Sequence, residues 1–115
     1  MMLSMDNPTA RLKALADPVR VHIVQTLARP DAACCSIADR VCACDLERVL
    51  GLAQPTVSHH MKILADAGLV EARKAGKFVF YRLNRTRFHK LAAWLAELVG
   101  EPAEGPYPAL TEDAA

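Results

Sequence analysis

The chain has 115 residues, a mass of 12.5 kDa and 52% hydrophobic residues, which suits one domain with a modest core. It has no apolar run of about 18 residues and no signal-peptide pattern, so we expect a cytoplasmic protein without a membrane partner. The net charge of +1 conceals an asymmetry. Residues 51–90 carry eight basic and two acidic side chains, whereas residues 91–115 carry five acidic side chains and no basic one. The basic segment is expected to face a polyanion.

Two helices are predicted near the beginning of the chain. Asn7-Pro8 and Asp17-Pro18 each place a side-chain acceptor before a proline, which is typical of a helix start. Residues 29–31, Arg-Pro-Asp, are expected to end the second helix. The apolar positions of the two helices follow at helical spacing and are Leu12, Leu15, Val19, Ile23, Val24 and Leu27.

A short third helix and a longer fourth helix are predicted next, as in a helix-turn-helix. The third carries Leu46, Val49 and Leu50 and ends at Gly51, while the fourth begins at residues 54–56. The fourth helix stops at Gly68, and its apolar side consists of Val57, Met61, Leu64 and Ala65.

The polar side of the fourth helix offers short hydrogen-bonding groups, imidazole and one cation, on Thr56, Ser58, His59 and Lys62. A solvated helix surface would instead be expected to carry Glu and Lys pairs. Such a face can approach base edges and phosphates closely. The alternative is an ordinary polar surface, with Thr56 and Ser58 placed there by the helix start.

A basic hairpin is predicted after the fourth helix. Residues 69–74 and 77–83 are strand-like and are separated by Ala75-Gly76, where glycine permits a tight turn. Three basic side chains cluster at its tip, namely Arg73, Lys74 and Lys77. A helix-turn-helix followed by such a hairpin is a winged helix, which places its second helix in the major groove. The predicted fold class is therefore mainly α with a small β-hairpin, spanning residues 1–100.

A final helix is predicted from about Thr86, with apolar residues at helical spacing: Phe88, Leu91, Trp94, Leu95 and Leu98. A twofold dimer would present two reading helices to a palindromic site, and the first and last helices are candidates for its interface. Trp94 and Leu98 fit either this interface or the protomer core. Residues 101–115 form an acidic, proline-rich tail that we expect to be disordered.

Four cysteines lie within eleven positions: Cys34, Cys35, Cys42 and Cys44. In a reducing compartment this clustering favours metal or metalloid binding over disulfides, and thiolates suit soft ions such as Cu(I), zinc, cadmium, lead and arsenite. The alternatives are small buried hydrophobes, a structural tetrathiolate zinc site and a thiol-disulfide redox switch. No Cys-x-x-Cys, glycine-rich phosphate loop or βαβ pattern accompanies the thiols, so we do not expect an enzyme.

Three segments carry a resemblance to a known family. Residues 42–46, Cys-Ala-Cys-Asp-Leu, residues 52–70, and residues 15–20, Leu-Ala-Asp-Pro-Val-Arg, are similar to the ArsR/SmtB family of bacterial metal-sensing repressors. The resemblance implies a homodimeric winged-helix repressor that binds operator DNA without a cofactor and releases it when an inducer binds. It implies DNA contacts by Gln54, Thr56, Ser58 and His59, assisted by the hairpin.

The resemblance also implies an inducer site at Cys42 and Cys44. Arsenite or antimonite is the expected inducer, with cadmium, lead or zinc as alternatives. Where arsenic sensors often carry a third cysteine, this chain has Glu47. Trivalent arsenic takes three thiolates, so the third must come from Cys34 or Cys35, a choice that the sequence leaves open.

Two further expectations concern helix geometry and the last helix. Side chains two residues apart on a helix point about 200° from each other. If Cys42 and Cys44 lie at the start of the third helix, their joint coordination with a loop cysteine is predicted to unwind or re-aim its first turn. The distorted form would then no longer present both fourth helices of a dimer at the operator spacing. The family's other metal site, on the last helix, is not expected, because that helix offers only His89 and Glu97.

Overall fold

The computed structural model describes residues 8–29 and 40–109, and in this part of the chain five helices accompany a three-stranded sheet. The elements in chain order are α1 (Pro8–Leu15), α2 (Pro18–Ala28), β1 (Val41–Cys42), α3 (Ala43–Leu50), α4 (Gln54–Asp66), β2 (Val70–Ala75), β3 (Phe78–Leu83) and α5 (Arg85–Val99). None of these helices is long and apolar enough to cross a membrane. The predicted winged helix-turn-helix architecture is confirmed.

Helix α2 begins as its sequence predicts. Asp17 has an extended backbone, and its carboxylate accepts hydrogen bonds from the N–H groups of Val19 at 2.8 Å and Arg20 at 3.3 Å. Burial by itself would raise the pKa of Asp17, but these two hydrogen bonds and the Arg20 charge hold that pKa below its ordinary value. The cap fixes the angle at which the chain turns from α1 into α2.

Strand β1 is an element that the sequence did not predict. Val41 and Cys42 pair antiparallel with Tyr81 and Phe80, so the hairpin becomes a sheet with the order β1-β3-β2. A two-residue strand is too short to show the alternation by which strands are recognised. Its consequence is that Cys42 lies outside α3 as the N-cap, with φ −67° and ψ 144°.

The turn of the hairpin lies one position later than predicted. Ala75 pairs with Phe78, so the turn residues are Gly76 and Lys77 rather than Ala75 and Gly76. Gly76 has a φ of +63°, which is the left-handed conformation that a tight hairpin requires. Lys77 at the tip places its ammonium 5.7 Å from the centre of the Phe78 ring.

One hydrophobic core joins α1 to α4 with the sheet. Its buried residues include Ala14, Ile23, Leu27, Val41, Leu46, Val57, Met61, Leu64, Leu69, Val70 and Leu83. Helix α5 adds to the buried set only Leu91, whereas Trp94 and Leu98 remain 36% and 64% exposed. The interpretation of these two residues as core of the protomer is therefore wrong.

The acidic tail is described only in part. Residues 101–109 are exposed and contain no helix or strand. The remaining residues, 110–115, lie outside the described part of the chain, as do Cys34 and Cys35. The disorder expected of residues 101–115 stays a prediction.

Gly68, between α4 and β2, has a positive φ and lies close to the side chain of Arg87. Its φ is +78°, and a Cβ there would lie 2.6 Å from Nη1 of Arg87 on α5. Gly51, with φ +67°, has nothing within 4 Å of the same position and serves as the control. We expect Gly51→Ala to lower the free energy of unfolding in urea by about 1 kcal/mol because of its positive φ, and Gly68→Ala by slightly more, because the end of the Arg87 side chain must also move. Equal losses would show that the approach of Arg87 is not a constraint.

Candidate nucleic-acid interface and thiol site

The candidate DNA-reading surface of α4 is fully accessible. Its exposed side chains are those that the sequence singled out: Gln54, Thr56, Ser58, His59 and Lys62. The opposite side of α4 buries Val57, Met61 and Leu64, and the helix packs against α1, α2, α3 and β2. A helix held on so many sides can present short polar groups in a fixed orientation, which base recognition requires.

Lys62 forms an ion pair that the sequence did not predict. Its ammonium lies 3.4 Å from the carboxylate of Asp66, one turn further along α4. The expectation that this face lacks the ion pairs of a solvated helix is therefore wrong at its C-terminal end. Both side chains are more than two-thirds exposed, at 77% and 68%, and such pairs contribute little to stability. Lys62 can exchange this partner for a phosphate at small cost.

The hairpin supplies a second basic group. Arg73, Lys74 and Lys77 are all exposed near its tip. Sequence reasoning missed two further arginines, Arg40 and Arg82, which line one shallow depression of the sheet together with Arg73. Arg82 forms an ion pair with Glu71 at 2.8 Å, and the two residues are direct partners across the strands. The strand register could have revealed Arg82, whereas Arg40 depended on the unpredicted β1.

The two thiols at the start of α3 lie in direct contact. The sulfur atoms of Cys42 and Cys44 are 2.7 Å apart, and the N–H of Cys44 donates to the Cys42 sulfur at 3.4 Å. Cys42 is buried and Cys44 is exposed. Because Cys42 is the N-cap and has an extended backbone, its side chain folds back over the first turn. The expectation that the two side chains point apart is therefore wrong, whereas the re-aiming of the first turn on coordination with Cys34 or Cys35 stays a prediction.

This geometry fits one soft ion. Two sulfurs bound to the same ion at about 2.3 Å each with a tetrahedral angle lie about 3.8 Å apart, so the pair, which is 2.7 Å apart, must separate by about 1 Å. The neighbouring Asp45 is buried and binds the guanidinium of Arg48 at 2.8 Å. Within residues 8–29 and 40–109, no third Cys, His, Asp or Glu completes a metal site.

The thiol pair is close in the chain to the core that supports α4. Leu46, two residues after Cys44, is fully buried and belongs to the same cluster as Val57 and Met61. Helix α3 packs directly against α4. One layer of packed side chains therefore separates the first turn of α3 from α4.

Together, α3, α4 and the basic hairpin define a winged helix-turn-helix DNA-binding protein. Residues 17–72 match the family model for bacterial regulatory proteins of the arsR family. The arsenical resistance operon repressor of Escherichia coli K12 is 36% identical over 94 residues, covering 82% of this chain and 70% of the relative. The repressor of the same name from Staphylococcus xylosus is 42% identical over 73 residues, covering 64% and 62%.

The fold comparison agrees with the sequence comparison. A solved ArsR-like transcriptional regulator from Rhodococcus sp. RHA1 superposes with a TM-score of 0.66 at 26% identity, covering 80% of this chain and 78% of that one. The chain belongs to the ArsR family and is a DNA-binding transcription regulator of the repressor type. The family and the named relatives are regulators rather than enzymes.

Proposed function

We propose that the protein is a homodimeric repressor that trivalent arsenic or antimony releases from operator DNA. The observation that carries this proposal is the contact between the Cys42 and Cys44 sulfurs at the start of α3, the helix that packs on α4. The names of the two relatives, both arsenical resistance operon repressors, support it. In this proposal the protein acts in the cytoplasm and needs no cofactor to bind DNA.

The DNA contacts divide between the two basic surfaces. On α4, Gln54, Thr56, Ser58 and His59 approach base edges in the major groove, since all four are exposed on the polar side of the helix. Phosphate contacts come from the remaining basic residues of the interface, Lys62, Arg73, Lys74 and Lys77. These contacts account for a nucleic-acid partner despite a net charge of only +1.

The dimer interface is the apolar surface of α5 together with α1. Trp94, Leu95, Leu98 and Val99 are exposed large hydrophobic residues of α5, and Leu12 is one of α1. Helices α1 and α5 are in contact, so the exposed apolar side chains of both can contribute to one surface. A second copy covering this surface would place two reading helices about a twofold axis.

The inducer site combines the described thiol pair with one of the loop cysteines, Cys34 and Cys35, so named because the sequence predicts a short loop after the second helix. Cys42 and Cys44 supply two thiolates, and Cys34 or Cys35 supplies the third that arsenic or antimony requires. An ion bound to these three thiolates would link Cys34 or Cys35 to the start of α3. Since α3 packs on α4, operator binding and inducer binding oppose each other, and each weakens the other by the same factor.

Cadmium or lead is the second candidate for the inducer, because the contact between the two sulfurs suits any soft ion. A redox signal is the third, since two neighbouring thiols can be oxidised to a disulfide. Zinc would use the same thiols in a tetrathiolate site, which the adjacent Cys34 and Cys35 suit poorly.

A release titration tests the inducer. Fully reduced protein on fluorescently labelled operator DNA is titrated at fixed salt with arsenite, antimonite, cadmium, lead, zinc and, separately, hydrogen peroxide. We expect arsenite and antimonite to release the DNA at the lowest concentrations. Equal operator affinity with and without arsenite would contradict the proposal, and release by cadmium, lead or peroxide alone would transfer the function to that alternative.

A further inference from the structure

A polar bridge connects α4 to the junction between α1 and α2. The Nε of Arg20 donates to the backbone carbonyl of Ala14 at 2.6 Å, and its Nη1 lies 3.1 Å from Nδ1 of His60 on α4. The Arg20 side chain is only 13% exposed, and Nη1 also lies 3.9 Å from the carboxylate of Asp17. One guanidinium therefore joins α1, α2 and the candidate reading helix.

The chemistry of the bridge fixes the state of His60. A guanidinium has donors and no acceptor, so Nδ1 of His60 must accept the hydrogen bond and carry no proton. The neutral ring then carries its proton on Nε2. His60 is partly buried, whereas the adjacent His59 is exposed, and the two rings meet edge to face with centroids 5.5 Å apart. Neighbouring histidines of α4 thus have different surroundings and different roles.

We propose that Arg20 is a positioning residue for DNA recognition and that its bridge to His60 holds α4 in the binding orientation only while His60 is neutral. The proposal rests on the proposed role of α4 as the DNA-reading helix. Arg20 and His60 are 40 positions apart in the chain, so their contact sets the position of one helix against another rather than local helix structure.

Protonation of His60 opens the bridge for two reasons. It removes the acceptor at Nδ1, and it places a second cation beside the guanidinium of Arg20. The groups facing His60 are Arg20 on α2, Asp17 before α2, and His59 on α4 itself. Helices α1 and α3 and strand β2 also pack on α4, but in the described part of the chain they form no hydrogen bond or ion pair with His60.

The Asp17 carboxylate attracts a protonated His60, but this attraction does not restore an acceptor at Nδ1 for Arg20. Its Oδ1 already accepts from the N–H groups of Val19 and Arg20, and its Oδ2 is 3.9 Å from the guanidinium. Lys13 of α1 and Asp66 of α4 line the adjoining cavity with Arg20. Protonation of the exposed His59 has the opposite expected sign, because a cation on the reading face attracts phosphate. The direction of the pH effect therefore separates the two histidines.

The test compares operator affinity for four substitutions at matched salt. Arg20→Lys keeps the charge but loses the planar guanidinium that reaches both the Ala14 carbonyl and Nδ1 of His60. We expect it to weaken operator binding about fivefold at pH 7.5. Arg29→Lys, at the exposed end of α2, is its control and is expected to leave affinity unchanged. His60→Asn places an amide oxygen close to the Nδ1 position without a titratable proton. His59→Asn is compared with it, because His59 is a proposed DNA contact that takes no part in the bridge.

The decisive readout is the affinity of His60→Asn relative to the wild type across pH. We expect the ratio to be near one at about pH 7.5 and to rise about fivefold by about pH 5.5, because only the wild type loses its bridge. Nitrogen NMR of labelled histidine is expected to show the Nε2–H tautomer for His60 in the wild type and its loss in Arg20→Lys.

The outcomes separate the bridge from the proposed DNA contacts. A ratio that stays constant across pH while His59→Asn weakens binding, or an Nδ1–H tautomer of His60, would overturn the bridge even if Arg20→Lys also lowers the melting temperature. If α4 does not read DNA, His59→Asn and His60→Asn would both leave affinity unchanged while the NMR tautomer persists. The first result rejects this inference, and the second rejects the function on which it rests.

Discussion

Replacement of Cys42 or Cys44 by serine is expected to abolish release of operator DNA by arsenite while leaving operator affinity within about twofold of the wild type. The structure makes serine a suitable substitute at both positions. The Cys42 sulfur caps α3 by accepting the N–H of Cys44, and serine is among the best N-cap residues. Cys44 is exposed, so its replacement removes no core packing. Each substitution therefore removes one sulfur ligand for the inducer.

The control for these variants is Glu47→Ser. Glu47 lies on α3 at the position where a third cysteine of an arsenic sensor would be expected, and it is not one of the proposed ligands. Its replacement is expected to leave the arsenite response in place. Release measured by fluorescence anisotropy at fixed salt checks all three variants. A Cys42→Ser protein that still responds at wild-type arsenite concentrations would exclude the thiol pair as the inducer site.

The role of the loop cysteines can be separated from that of the pair by choice of arsenical. Phenylarsine oxide carries one carbon on arsenic and therefore has only two positions for thiolates. Two thiols form bonds to arsenic and give their protons to its oxygen, which leaves as one molecule of water. The pair of sulfurs 2.7 Å apart should therefore bind it without help. We expect the double variant Cys34→Ser, Cys35→Ser to retain binding of phenylarsine oxide and to lose the response to arsenite. A full arsenite response in that variant would show that neither loop cysteine is a ligand.

Local chemistry made much of this fold predictable. The Asp17-Pro18 cap, the positive φ at Gly51 and Gly76, and the spacing of apolar residues on α4 each depend on a few neighbouring residues. The exposed polar side of α4 followed from the same spacing, since the buried positions determine which side faces solvent. These features are dictated within a single turn or a single helix.

The features that sequence reasoning missed depend on distant partners. Strand β1 exists because β3, some 40 positions later, pairs with Val41 and Cys42. That pairing moves Cys42 out of the helix, and the extended N-cap conformation brings the two sulfurs together. The Arg20 bridge to His60 likewise joins residues 40 positions apart, and neither residue shows an unusual local pattern. Periodicity cannot report contacts of this kind.

Replacement of Leu98 by glutamate is expected to separate the dimer and to weaken operator binding about a hundredfold, because each protomer would then engage one half-site without the benefit of the second. Leu98 is 64% exposed on α5, and Trp94, one turn earlier, is 36% exposed. A charge at Leu98 therefore leaves the protomer core intact but opposes burial against a second copy. Sedimentation and operator titration measure the two effects.

Ala93→Glu provides the matched control on the same helix. It introduces the same charge five positions earlier, which places it about 140° around α5 from Leu98. Ala93 is exposed, and the variant is expected to remain dimeric with wild-type operator affinity. Trp94 is the single tryptophan of the chain, so its emission reports directly on this surface. Dilution of the wild type should shift the emission to the red as the dimer separates, whereas Leu98→Glu should show the red-shifted spectrum at every concentration. A Leu98→Glu protein that sediments as a dimer would place the interface elsewhere on the protomer.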